Sequence, residues 1–359
     1  RTVREPETWY PLRVLVCDAC WLVQTEDFAG RDELFNDDYA YFSSFSTTWL
    51  AHAERYVREM IARFDLDASK RVVEVAANDG YLLQYVLKAG VDGYGIEPTA
   101  STAKAARDKG VDIVEAFFGE ELADKLADDG RQADLMVANN VLAHVPDIND
   151  FVRGFTRLLK PDGLATFEFP HLMEMVQGNQ FDTVYHEHYS YLSLTSVKRI
   201  FEANGLVVFD VEELPTHGGS LRVFAKRHDY GAAAIAPAVT DLLSKEQTAG
   251  MADISFYQAF QHNAEQVKDD LVAYLIDAKR RGLKIAGYGA AAKGNTLLNF
   301  AGVRPDLLPY VVDRNPAKQG KFLPGSKIPI TDVSNIKANK PEIILILPWN
   351  VRDEIIEQL

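Results

Sequence analysis

The sequence predicts an α/β fold. A doubly wound parallel sheet occupies the middle of the chain, with a small domain before it and a second α/β unit after it. Three stretches carry that prediction. Residues 71–98, RVVEVAANDGYLLQYVLKAGVDGYGIEP, read as strand, tight small-residue loop, helix and strand, with Leu82, Leu83, Val86 and Leu87 at helical spacing. Residues 133–147 read as a strand that runs into a polar turn, placed where such sheets reverse their order and bind ligands. Residues 284–295 repeat strand, Gly-rich loop and helix near the C-terminus.

Composition sets the outer bounds. The 359 residues are 47% hydrophobic and 25% charged, which is ordinary globular usage with room for two or three domains. Basic residues number 38 against 52 acidic ones, a net charge of −14. That balance opposes nonspecific attraction to nucleic acid or an anionic membrane. No apolar run has the length of a membrane span and no signal peptide is visible, so a cytoplasmic protein is expected. Arg1 in place of Met points to a missing natural N-terminus.

Residues 1–67 form the first expected domain. Residues 10–16 read as a strand leading into Cys17-Asp18-Ala19-Cys20. Two thiolates on a β-knuckle supply half of a four-ligand zinc site. Either the other pair lies upstream, or these are two incidental reduced thiols. A redox C-x-x-C belongs instead at a helix start. Residues 36–46, NDDYAYFSSFS, are either a packing loop or a lid that presents Tyr39 or Tyr41 to a site. Residues 48–64 read as one amphipathic helix.

Residues 68–230 form the sheet domain. In the loop AANDG, Ala76, Asn78 and Gly80 let the backbone approach a ligand at a helix N-terminus, and Glu97 follows the second strand, placed to accept from ribose hydroxyls. The G-x-G-x-x-G that seats a pyrophosphate is absent, and Asp79 would repel one. A ligand with an ammonium and no phosphate fits better, which points to S-adenosylmethionine (SAM). Phe117 and Phe118 offer a ring against adenine, or else belong to the core. Asn139, Asn140 and His144 stand at the end of the strand 133–138. A helix over 151–159 and strands over 163–169, 207–211 and 221–226 complete the sheet, with His217 in a turn beside two glycines. Within FDTVYHEHYSYLS, extended backbone would put His186 and His188 on one face and Tyr185 and Glu187 on the other. The cluster is a metal pair, a structural network, or a general base whose tautomer a neighbouring carboxylate fixes.

Residues 231–359 begin with a small-residue linker and a helix over about 253–281. The loop GYGAAAKGN then carries Gly289, Lys293 and Asn295 and no acid, a phosphate-friendly version of the first loop. The alternative is a scaffold or a dimer surface.

With CDAC, DDYAYFSSFS, EVAANDGYLL, GIEP, NNVLAHVPD, FEFPH, YHEHYSYLS, THGGSLRVF and GYGAAAKGN in view, the chain resembles the SAM-dependent C-methyltransferases of deoxysugar biosynthesis over essentially its whole length. Those enzymes methylate C-3 of a dTDP-4-keto sugar. The resemblance implies a class I methyltransferase Rossmann-like central domain, an N-terminal zinc-ribbon-like domain and a C-terminal Rossmann-like α/β domain. It also implies a four-cysteine structural zinc site in which Cys17 and Cys20 are the second pair, the first pair being absent from this chain. Ala76 departs from the family's usual glycine and is tolerable where φ is negative; the chain also stops short of the family's usual C-terminus.

The chemistry follows from the substrate class. A sugar C–H becomes acidic only beside a ketone, so the enzyme needs a base, a group for the enolate oxygen and a methyl sulfonium in line. The expected base is His188, oriented by Glu187, with Tyr185, His186 and Tyr39 or Tyr41 on the sugar or its oxyanion. SAM is expected at Ala76, Asn78, Gly80, Glu97, Phe117, Asn139, Asn140 and His144. His217, Gly289, Lys293 and Asn295 are expected on the nucleotide-sugar substrate, in the cleft between the two α/β units. No nucleic-acid or membrane partner is expected, and the assembly would be a monomer or weak dimer. The competing readings are O- or N-methylation of a related sugar, a non-catalytic nucleotide-sugar-binding protein, and an NAD(P)-dependent enzyme that uses the second Gly-rich loop.

Overall fold

The computed structural model describes residues 6–28, 30, 41–231 and 234–359. In chain order its strands are β1 (Val14–Val16), β2 (Val23–Thr25), β3 (Arg71–Val75), β4 (Asp92–Ile96), β5 (Asp112–Val114), β6 (Ala133–Asn139) and β7 (Leu159–Pro170). They continue as β8 (Ser190–Tyr191), β9 (Leu206–Leu214), β10 (Ser220–Arg227), β11 (Ile285–Tyr288), β12 (Val311–Val312), β13 (Ile330–Thr331) and β14 (Ile343–Ile346).

The central sheet runs β5-β4-β3-β6-β7-β10-β9. It is parallel from β5 to β7, and β10 is antiparallel to both β7 and β9. Parallel strands covered on both faces read as continuous apolar runs. All seven residues of β6 are buried accordingly. One face packs against Phe155, Phe201 and Leu158. The other packs against Tyr56, Val57 and Met60 of the helix Thr47–Phe64. Ser46 caps that helix by accepting from the Trp49 amide, and Asp65 ends it in the left-handed conformation. The helices Glu120–Asp128, Leu172–Gln177, Leu194–Ala203 and Pro237–Thr248 complete the covering, none of them read from the sequence.

A second, four-stranded parallel sheet runs β13-β12-β11-β14 and follows the long helix Ile254–Arg280. Among the described residues, no helix is long and apolar enough to cross a membrane.

The third sheet is small and joins distant parts of the chain. Its order is β1-β2-β8, so the N-terminal hairpin pairs with residues just after the Tyr185–His188 cluster. Thr25 clamps the junction: its Oγ1 donates to the His188 carbonyl at 2.7 Å and its amide donates to the Tyr189 carbonyl. From the C-terminal side, Thr296 Oγ1 donates to the Val184 carbonyl and Trp349 Nε1 donates to Asp182 Oδ2. Residues 181–191 are therefore gripped by all three sheets' surroundings. Ahead of β8, residues 181–188 are not extended: a 3-10 turn spans Phe181–Thr183, and the His188 amide donates to the Tyr185 carbonyl at 2.9 Å. The alternating faces that a strand would give His186 and His188 do not exist.

Candidate active site

The loop after β3 is built against β4. Ala76 sits at φ +58°, not at the negative φ that alanine prefers. Asn78 is also left-handed, at φ +49°. Its amide donates to Glu97 Oε2 at 2.9 Å. Its side chain accepts from the Ser43 amide and donates to the Tyr41 carbonyl, so it ties the 41–46 segment down beside the loop. Glu97 Oε1 accepts from the Thr99 amide and Thr102 Oγ1, both at 3.0 Å. Glu97 is thus more fully engaged within the chain than the sequence implied, with the Asn78 amide on Oε2 and two donors on Oε1. Burial raises its carboxyl above the usual range.

Asp79 also differs from expectation. It is buried, and Lys109 Nζ lies 3.1 Å from its Oδ2. Lys109 therefore offsets the negative charge that was to favour an ammonium, although Oδ1 has no partner among the described residues. Gly80 has φ +74°, and Val111 and Ala106 would crowd any Cβ there at 3.1 and 3.2 Å. Phe118 packs into the core against Phe151 and Phe155, whereas Phe117 stays half-buried. Asn139 is buried at the carboxyl end of β6, and neither of its amide atoms has a partner among the described residues.

The histidines collect beyond that strand end. His188 Nδ1 lies 3.0 Å from the Thr183 carbonyl. A carbonyl only accepts, so Nδ1 carries the hydrogen and Nε2 presents its lone pair. The Tyr185 ring lies 4.0 Å away and the His144 ring meets His188 edge-on at 4.7 Å. Burial, then His144, pushes the His188 pKa well below its ordinary value. Burial takes His144 down to about 4, opposed by a hydrogen bond to the Glu187 backbone. Burial and then Lys293 take His217 down to about 4 as well. His217 Nε2 lies 3.2 Å from Asn140 Nδ2, and its ring packs on Trp49.

Several expected partners are placed elsewhere. The Thr183 carbonyl orients His188, not Glu187, whose carboxyl makes no hydrogen bond to a described residue and is raised by burial. His186 Nε2 donates to the Pro11 carbonyl at 3.0 Å and its ring packs on Tyr10, so it anchors the N-terminal segment and forms no metal pair with His188. Tyr41 is 55% exposed. Tyr39 lies outside the described residues.

The second Gly-rich loop is not acid-free in space. Asp313 Oδ2 accepts from the Ala290 amide at 2.7 Å. Gly289, at φ +90°, is glycine because a Cβ would lie 2.5 Å from Pro348. Lys293 turns away from this loop: it donates to Asn350 Oδ1 at 3.1 Å and sits 4.6 Å over the Trp349 ring. Burial lowers its pKa to about 8 against the pull of Asp182, and its charge is felt at His188 and His217. Asn295 has a buried Oδ1 with no partner among the described residues. It lines a cavity of about 1090 Å³ together with Tyr185, Glu187, Trp9, Phe300 and Lys321, between the N-terminal segment, residues 181–187 and the second sheet's helices.

Over 354 residues the chain is 36% identical to C-methyltransferase NovU of Streptomyces niveus, a match that takes in 98% of this chain and 83% of that one. This chain belongs to the sugar C-methyltransferase family. Three family models match this C-methyltransferase in order: "Putative zinc binding domain" over residues 1–35, "Methyltransferase domain" over 49–211 and "C-methyltransferase C-terminal domain" over 215–359. It is a SAM-dependent methyltransferase with a class I Rossmann-like fold. The ubiquinone biosynthesis O-methyltransferase of Bordetella avium is 35% identical over 103 residues, which are 27% of this chain and 42% of that one. Among solved structures, the 1,6-didemethyltoxoflavin-N1-methyltransferase of Burkholderia thailandensis is 17% identical with a TM-score of 0.42, over 60% of this chain and 99% of that one.

One part of this C-methyltransferase's site escaped the sequence reading. Glu168 at the end of β7 is fully buried and paired with His52 Nε2 at 2.9 Å and Arg222 at 3.0 Å. Burial alone would raise its carboxyl, but His52 and Arg222 hold it below the usual range. Glu168 also accepts from Thr216 Oγ1 and from the Asn140 amide through its carbonyl, so the network fixes both turns that carry the site's polar groups. The available signal was a charge inside each apolar strand, in FEF and LRVF.

The Cys17–Cys20 turn fits a zinc knuckle. The Cys17 amide donates to the Leu22 carbonyl, the Trp21 amide returns to the Cys17 carbonyl, and Trp21 takes φ +63°. Backbone donors from Cys20 and Ala19 lower the Cys17 pKa, which favours the thiolate that a metal needs.

Proposed function

We propose that this C-methyltransferase methylates C-3 of a dTDP-4-keto-deoxysugar through an enolate. The observation that carries the reading is the His188 tautomer. A neutral imidazole with Nδ1–H on a carbonyl leaves Nε2 as the basic nitrogen, a general base already in its active form. The 4-keto group makes the C-3 proton removable, and Nε2 takes it. Bound SAM supplies the electrophilic methyl group. The buried Lys293 ammonium raises the positive potential around the histidines, which favours the enolate over the ketone.

Glu97, Asn78 and Asn139 are assigned to the SAM side. The cavity beside Tyr185 and Glu187 is assigned to the nucleotide sugar, with aromatic rings for the base and Asn295 among its polar groups. Cys17 and Cys20 would supply two thiolates to a structural zinc. The test uses SAM with a labelled methyl and a panel of dTDP-4-keto sugars, with the products located by NMR. A new methyl on C-3 is the expected product. A methyl on oxygen or nitrogen, with the ring carbons unchanged, would overturn the assignment.

A further inference from the structure

A second cluster lies outside the histidine centre. His171, just after β7, is 1% exposed. Its Nε2 lies 2.8 Å from Glu246 Oε1. Glu246 also accepts from the Leu194 amide, the Thr195 amide and Thr195 Oγ1, so its carboxylate is the acceptor and Nε2–H the donor. The other ring nitrogen, Nδ1, is buried with no hydrogen-bond partner among the described residues. One ligand atom each from His171, Glu174 and Glu213 lies within 4.8 Å of the others. They line a cleft of about 460 Å³ with Pro215, Gly218 and Gly219.

We infer that His171 Nδ1, Glu174 and Glu213 form a divalent-cation site behind the β9–β10 turn. An imidazole held by a carboxylate through its far nitrogen is the usual outer support of a metal-ligating histidine. Two carboxylates with one imidazole suit Mn²⁺, Fe²⁺ or Zn²⁺. The site would join the end of β7, the helix Leu172–Gln177 and the end of β9. Those three flank the turn that carries His217, and the His171 amide already donates to the Gly219 carbonyl at 2.9 Å. A cation there would stiffen the turn without touching substrate. Lys245 Nζ is the resident competitor, 2.6 Å from Glu213 and 4.0 Å from Glu174.

The test is a Mn²⁺ titration of the full chain, followed by EPR. Thiolates are poor Mn²⁺ ligands, so the Cys17–Cys20 knuckle does not interfere. One saturable equivalent is expected, weakened at least about tenfold by Glu174→Gln and by Glu213→Gln. Both side chains are partly exposed, at 38% and 52%, so the variants retain the fold. Lys245→Met removes the competing ammonium and tightens binding. Absence of saturable binding up to about 1 mM Mn²⁺, or equal binding by the wild type and both glutamine variants, would overturn the site.

Discussion

Ala76 holds an L side chain at φ +58°, where its Cβ crowds the following carbonyl at a cost of roughly 1–2 kcal/mol. Ala76→Gly should therefore raise the urea unfolding free energy by about 1 kcal/mol, part of the relief being lost to glycine's greater unfolded-state freedom. An unchanged or lower midpoint would show that the loop relaxes around alanine. The histidines set a pH dependence. His144 and His217 have folded pKa values of about 4 against an ordinary 6.5. Between those values the unfolded chain binds more protons than the folded one. Stability is therefore complete above pH 6.5 and falls as pH drops toward 4, by up to about 1.4 kcal/mol per pH unit for each histidine. Urea midpoints measured from pH 7.5 to 4.5 should show that decline, and His217→Gln should flatten it; equal slopes in the two proteins would remove His217 from the account.

At the scale of elements, the segment 181–191 depends on its neighbours for its shape. Trp349 Nε1 donates to the buried Asp182 at 2.8 Å, and the same ring lies under Lys293 and against Gly218. Trp349→Phe keeps most of the packing and removes the donor. The stranded carboxylate should cost about 1–3 kcal/mol of stability. Turnover should fall while SAM affinity stays constant, because Asp182, Lys293 and Gly218, which the Trp349 ring meets, are not among the residues assigned to SAM. Loss of SAM affinity in isothermal titration would mean that the two regions are coupled. The turn of this segment could not be read from FDTVYHEHYSYLS. Its shape comes from pairing with β2 and from the reach of Thr296 and Trp349, contacts that span more than a hundred residues.

Across the whole molecule, legibility followed the range of the forces involved. The parallel strands were readable because burial on both faces demands runs such as RVVEV and ADLMVA. The helix Leu172–Gln177, at 6 residues, is too short to show a period, and Leu194–Ala203 is 10 residues long. The residue types at the site were visible in YHEH and NNVLAH, but their partners were not. Glu187 stands next to His188 in the chain, yet the carbonyl of Thr183 holds the ring. GYGAAAKGN has no acid in sequence, yet Asp313 arrives from the end of β12 to take the Ala290 amide. Adjacency in the chain proved a poor guide to hydrogen bonding wherever the backbone turns.

The proposed C-methylation depends on His188 Nε2 removing a proton from carbon. Solvent deuterium exchange at C-3 of a dTDP-4-keto sugar, followed by NMR in the absence of SAM, measures that step alone. The wild type should exchange the C-3 proton. His188→Asn should abolish exchange while binding SAM with nearly unchanged affinity. Exchange that persists in His188→Asn at the wild-type rate would contradict the account.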